Sequence, residues 1–163
     1  MAELHLLPYD EYVAKLPRKS VSAGVLIRDR QGRVLLVEPS YKAGWEIPGG
    51  VVEDGEAPWT TAVRELHEET GLVRPRGALL VVDYVPGDND SLPERLAFIF
   101  DGGMITEDDV EQLVLSAEIA SAELVSPDLL PTRVKPVLAA RLEAALKAVD
   151  SGVMAMCEKG KEA

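Results

Sequence analysis

The chain has 163 residues, 47 % hydrophobic and 28 % charged, and a formal net charge of −11. That length and balance describe one folded unit with its own core, and they exclude a disordered tail. No apolar run approaches the roughly 20 residues that span a bilayer, and the acidic surplus excludes long DNA or RNA, whose phosphates demand a basic stripe.

A small phosphorylated ligand stays admissible if metal ions bring the positive charge that the protein lacks. The single cysteine, Cys157, rules out an intrachain disulfide and has no Cys or His neighbour at zinc-ligand spacing. Met1-Ala2-Glu3-Leu4-His5 lacks the basic and apolar regions of a secretory leader, so a cytoplasmic location is expected. The whole of 1–163 reads as a single domain, with a core over about 18–150 and less ordered termini.

In chain order, Val21, Ala23, Val25 and Ile27 alternate onto one face. Polar Asp29-Arg30-Gln31-Gly32 then leads to apolar Val34-Leu35-Leu36-Val37, which predicts a β-hairpin. A loop follows from Pro39, with Trp45-Glu46-Ile47 as a short strand before a turn at Pro48-Gly49-Gly50. Pro58 suits a first helical turn, helix formers run from Trp59 to Thr70, and Gly71 is the natural stop. Strands are expected over Ala78–Val85, Arg95–Phe100 and Ala122–Val125, the first two separated by a turn at Pro86-Gly87-Asp88-Asn89-Asp90. Val134, Val137, Leu138, Leu142, Ala145 and Leu146 recur at helical spacing, predicting an amphipathic helix from about Thr132 to Val149 that covers the sheet. Strands interspersed with two helices make an α+β layered domain.

The middle helix carries the chemistry. At about 100° per residue, Glu65, Glu68 and Glu69 fall in one arc of roughly 100°, while Trp59, Ala62, Val63, Leu66 and Thr70 fill the neighbouring arc. His67 points away from the carboxylates by the same geometry. Six acidic residues between Glu53 and Glu69 face only one arginine, Arg64, a density that repels itself unless something offsets it. Arg64 reaches Glu68 one turn on, and hard cations such as Mg²⁺ take carboxylate oxygens together with substrate phosphates. Spacing alone does not separate such a site from a solvated acidic helix face.

The full stretch from Gly50 to Leu72 resembles the Nudix box, G-x5-E-x7-R-E-U-x-E-E-x-G-U with U aliphatic. Gly50, Glu56, Arg64-Glu65-Leu66, Glu68-Glu69 and Gly71-Leu72 fill its nine constrained positions. Trp45 to Gly49 resembles the lead-in usual in that family. The resemblance implies an α/β/α sandwich with a mixed sheet, in which the box forms a catalytic loop-helix-loop. It also implies Mg²⁺, or Mn²⁺, held by Glu65, Glu68 and Glu69, with the Gly49 carbonyl as a further ligand. Arg64 then orients a glutamate, and Glu56 fixes the loop or pairs with Arg64. The resemblance implies hydrolysis of a diphosphate linkage in a nucleotide-like substrate, with a homodimer as a family-level expectation. A general base is needed; Glu118 sits where many relatives carry an extra acidic group, and Glu111 is the alternative.

Trp45 and Tyr84 are candidates for stacking on a nucleobase, and Lys42 and Arg95 for contacting phosphate. Core packing is the competing reading for both aromatics, and plain solvation for both cations. Pro86 and Tyr84 lie near the places that signal substrate choice in the family, but their flanks match neither signature. ADP-ribose-type and nucleoside-triphosphate-type substrates both stay open. The rival class is a non-catalytic Nudix-fold module that senses a nucleotide, although the box is intact and no basic helix-turn-helix accompanies it.

Overall fold

The computed structural model describes residues 6–87 and 92–163. A short helix α1 (Tyr9–Ala14) precedes strands β1 (Ser20–Arg28), β2 (Val34–Pro39) and β3 (Gly49–Val51). Helix α2 (Pro58–Thr70), strands β4 (Leu79–Val85) and β5 (Arg95–Met104), helix α3 (Glu107–Glu111) and strand β6 (Ile119–Val125) follow. A 3-10 turn (Pro127–Leu129), helices α4 (Leu130–Arg133) and α5 (Pro136–Ser151), and strands β7 (Ala155–Glu158) and β8 (Lys161–Glu162) complete the chain. The strands form one sheet in the order β6-β2-β1-β5-β4-β7-β8, with β3 added on β1. The pairs β1–β5 and β4–β7 are parallel and the others antiparallel, so the sheet is mixed, as expected.

Both faces of the sheet are covered, which is why its strands read as nearly continuous apolar runs. Ala23, Val25 and Ile27 pack with Ala62 and Leu66 of α2, while Leu26, Val34 and Leu36 pack with Leu142, Ala145 and Ala148 of α5. The alternation predicted for β1 is therefore observed, with helices on either side. The hairpin forms, but β1 and β2 pair only at Arg28 and Val34 before splaying apart. Strand β2 goes on to pair with β6, and β3 takes the place beside Ser22, Ala23 and Gly24. That splay opens the sheet where the box begins.

Four expectations change. Trp45-Glu46-Ile47 makes a single bridge, Glu46 to Val37, and the strand is instead Gly49–Val51, because the open edge of β1 offers it a hydrogen-bonding partner. The last helix is divided: α4 ends at Arg133, and α5 starts afresh with Pro136, whose ring cannot continue a helix from upstream but suits a first turn. Residues 155–162, outside the expected core of about 18–150, form β7 and β8, and β7 runs parallel to β4. Trp59, placed on the core arc, is 45 % exposed at the first turn of α2, with Arg76 over its ring. Of the turn Pro86-Gly87-Asp88-Asn89-Asp90, the last three residues lie outside the described ones.

Candidate metal and phosphate site

The site begins with the ends of α2. Pro58 opens the helix, and Gly71 closes it in the left-handed conformation at φ 74°. The segment after α3 then caps it: the Val114 and Ser116 amides donate to the carbonyls of Thr70 and Glu69 at 3.0 and 3.1 Å. Ala62, Leu66 and Thr70 are buried, and the neighbouring arc carries half-buried Glu65 and Glu69 and exposed Glu68 beside β3. The helical arcs read from the sequence are those observed, apart from Trp59.

Arg64 is the hub. Its Nε and Nη2 donate to the two oxygens of Glu56 at 2.9 Å each, and its Nη1 donates to Glu65 and Glu68 at 3.0 Å each. Fork-to-fork pairing of this kind combines charge with fixed direction. The hydroxyl of Thr61, wholly buried, adds a 2.6 Å bond to Glu56. Hydrogen bonds from Arg64 first, and then from Thr61, hold the Glu56 carboxyl down at about 2. Hydrogen bonds to Glu56 first, and then to Glu65, push the Arg64 guanidinium further up. Glu56 thus pins the loop Glu53–Ala57 to the helix through Arg64, the pairing that the box resemblance implies.

Glu69 lies apart from this hub. Its Oε2 accepts the Gly49 amide at 3.1 Å. Burial raises its carboxyl to about 7, the Gly49 bond opposes the rise, and the negative charges of Glu65, Glu46 and Glu118 add to it. Burial and three neighbouring carboxylates therefore act on one acid. Gly50 makes room for this arrangement: a Cβ there would stand 2.3 Å from Glu65 Oε1. A Cβ on Gly49 would stand 2.4 Å from the Ala23 carbonyl oxygen, so β3 can lie against β1 only as glycine at that position.

Loops bring the remaining acids in. The Ser40 amide donates to the Glu118 carbonyl at 2.8 Å and its hydroxyl to the Ala117 carbonyl at 2.9 Å, tying the β2–β3 loop to the segment before β6. Glu118, rather than Glu111 at the exposed end of α3, is among the carboxylates that act on Glu69. Glu46 joins from the Val37 bridge, with Lys42 Nζ 2.9 Å from its carboxylate.

The aromatic candidates are placed differently. Trp45 packs against the α5-side core with Arg133 5.2 Å from its ring centre, which covers a face that stacking would need. Tyr84 lies under Lys19, 5.5 Å from its ring centre. Arg95 opens β5 beside Ser20 and Val85, at the end of the sheet where Tyr84 lies, and Lys42 is the one of the two basic candidates seated against the acidic group. Thr61 and Glu46 were not singled out by sequence. Thr61 is a polar residue inside the core arc of α2, and that is a readable signal; Glu46 has no local signal at all.

The donors have the chemistry of a hard cation site: carboxylate oxygens in surplus, with one acid, Glu69, raised first by burial and then by its acidic neighbours. As placed, no three Asp, Glu, His or Cys side chains among the described residues stand together as an ion-holding group, because Arg64 engages Glu65 and Glu68.

A mixed sheet between helices, with a carboxylate-bearing loop-helix-loop laid on the splayed edge of β1, defines the class as a Nudix-type α+β domain. The NUDIX domain profile matches residues 18–145, and the chain belongs to the Nudix family. It is similar to an RNA pyrophosphohydrolase of Pseudoalteromonas translucida, 39 % identical over 75 residues that cover 46 % of this chain and 43 % of that protein. It is also similar to a CMP-5'-(N-acetyl-N-hydroxy-3-aminopropyl)phosphonate hydrolase of Streptomyces rubellomurinus, 41 % identical over 40 % of this chain and 33 % of the other. These matches span less than half the length of either relative. Among solved structures, a MutT protein from Methanosarcina mazei Go1 has the same fold, with a TM-score of 0.64, 24 % identity, and coverage of 83 % of this chain and 96 % of that one. No helix among the described residues is long and apolar enough to cross a membrane.

Proposed function

We propose that this chain hydrolyses a diphosphate linkage in a small nucleotide-like substrate, using Mg²⁺, or Mn²⁺, held by Glu65, Glu68 and Glu69. The observation that carries this reading is Glu69: a partly buried acid beside β3, facing Glu65, Glu46 and Glu118, inside an intact Nudix box. Family membership supports hydrolysis of a phosphate anhydride as the reaction, and the named relatives are an RNA pyrophosphohydrolase and a hydrolase of a CMP-linked phosphonate.

When bound, a divalent ion supplies a counter-charge for the diphosphate oxygens and makes water a better nucleophile. The protein's own groups do the rest. Arg64, fixed by Glu56, keeps Glu65 and Glu68 on the outer face of α2. The Gly49 amide holds one oxygen of Glu69, which leaves the other free to act, and the Gly49 carbonyl is a further oxygen donor on the same strand. Lys42 meets substrate phosphate at the rim once it leaves Glu46. Glu118 takes the proton of the attacking water, since the Ser40 bonds hold its backbone beside the cluster.

The test is a screen of the purified protein, with Mg²⁺ and with EDTA, against ADP-ribose, dinucleoside polyphosphates, nucleotide sugars and nucleoside triphosphates, reading phosphate-containing products. We expect turnover that EDTA abolishes and that Glu68→Gln lowers by orders of magnitude. Unchanged turnover in that variant removes the metal-site assignment.

A further inference from the structure

The β2–β3 loop carries an aromatic residue that neither the box nor the reaction above uses. Tyr41 is 68 % exposed in a chain where aromatic residues make up only 5 %. Its position is not that of a loose loop tip. Reciprocal hydrogen bonds between Val37 and Glu46, at 2.8 and 2.9 Å, close the loop at its base. Ser40, the residue before Tyr41, is bonded to Ala117 and Glu118, and the Trp45 amide donates to the Arg133 carbonyl at 3.3 Å. The loop is thus held on three sides and presents Tyr41 between its anchors.

What lies next to the ring sets its use. Lys42 Nζ is 5.4 Å from the ring centre and 2.9 Å from the Glu46 carboxylate, so a single ammonium group links the ring to the acidic cluster. Trp45 and Tyr84 do not offer this: both are half-buried, and the cations over them, Arg133 and Lys19, pair with Glu123 and Glu94 rather than with the acidic cluster. Trp59 is exposed, but it lies on the α2 arc away from the carboxylates, under Arg76.

We propose that Tyr41 is a specificity-determining residue that stacks on the base of a nucleotide substrate, with Lys42 between base and diphosphate. This rests on the reading of the cluster as a diphosphate site. Glu46 is among the carboxylates that act on Glu69, so the ring lies one side chain, Lys42, away from the cluster, and on this reading a molecule whose phosphates meet the cluster extends past Lys42 to the ring. An aromatic face binds any base, so the platform selects for nucleotides as a class over base-free diphosphates. Lys42 against the ring restricts stacking to the solvent-facing side.

The experiment compares the full chain with Tyr41→Ala and Tyr41→Phe. Binding of ADP-ribose, UDP-glucose, ATP and diadenosine tetraphosphate is measured calorimetrically with Mg²⁺ in a Glu68→Gln background, and KM in the otherwise unaltered chain. 5-Phosphoribosyl diphosphate serves as the base-free probe. The expected result is a loss of roughly tenfold in affinity for the nucleotides in Tyr41→Ala, read as a higher KM rather than a lower kcat. Tyr41→Phe retains the wild-type affinity, and the base-free probe does not follow the nucleotides. Equal affinity in Tyr41→Ala overturns the proposal, and so does an equal loss on the base-free probe or no binding by any of the four nucleotides. If Tyr41-dependent binding is found without turnover in the unaltered chain, the platform stands and the hydrolase reading falls.

Discussion

Replacing Glu69 with glutamine tests the electrostatic account of the site without any substrate. The acid's value is raised from 4.5 to about 7, first by burial and then by Glu65, Glu46 and Glu118. A raised carboxyl binds its proton more tightly in the folded chain than in the unfolded one. Stability from this group is therefore complete below about 4.5 and lost as pH rises toward 7. At about 1.4 kcal/mol per unit the shift sets a ceiling of about 3.4 kcal/mol. Part of the side chain meets solvent, and screening reduces the working figure to about 1 to 2 kcal/mol. Glutamine cannot ionise yet still accepts the Gly49 amide, so in EDTA the variant should exceed the parent by that amount at pH 8 and match it near pH 4.5. Urea titrations at the two pH values measure the difference. Adding Mg²⁺ at pH 8 should then stabilise the parent and leave the variant nearly unchanged, since binding to the folded state alone raises its apparent stability. Equal stability of the two proteins at pH 8 in EDTA would refute the reasoning.

Other parts of the framework make separate predictions. Gly50→Ala places a Cβ 2.3 Å from Glu65 Oε1, the movable end of a side chain, so the variant should fold with little loss while Mg²⁺ affinity drops at least tenfold, as measured by titration calorimetry. Asp83 is fully buried, pairs with Arg141 and accepts the Gly160 amide at 2.9 Å; Asp83→Ala should cost about 3 kcal/mol by urea unfolding, because it leaves the partly buried Arg141 guanidinium and the Gly160 amide without their partner. Glu56 has a depressed carboxyl, whose stabilising effect is present above about 4.5 and lost as pH falls toward 2; Glu56→Gln should lower the melting temperature at neutral pH and flatten its acid dependence in that window. A melting curve unchanged at pH 7 would count against Arg64 as the hub.

What the sequence discloses follows from how local the physics is. The α2 boundaries were legible because Pro58 and Gly71 act within one turn, and its two arcs because helical geometry needs no neighbours. Strand β3 was misplaced because Gly49–Val51 has no strand propensity and is held only by the edge of β1, a partner about 27 residues upstream. Helix α3 has a local signal in the sequence: Thr106 and Asp109 form a capping box at the standard spacing. Strand β7 was hidden in a tail without alternation, since its place depends on a parallel register with β4. At the site, the carboxylates of α2 were found by spacing and box, whereas Glu46 joins them only through the Val37 bridge, and the fate of Trp45 depended on Arg133.

The distribution of charge about α2 explains why one arginine suffices for so many acids. Arg64 forms four hydrogen bonds, two to Glu56 and one each to Glu65 and Glu68, so one loop carboxylate and two on α2 share one guanidinium. Glu56, the most thoroughly paired, lies farthest from ionisation change and serves the loop. Glu68 has a side chain 55 % exposed, is held by a single bond and is free to turn toward a cation. Glu69 has no arginine among its causes of shift; nearby charge destabilises its anion and only the Gly49 amide supports it. The gradient from paired to unpaired carboxylate runs along one helix face toward β3, and a divalent cation gains most at the unpaired end. In the proposed site, moving the arginine one turn later would neutralise an acid assigned to the cation, so the position of Arg64 in the box matters as much as the number of glutamates around it.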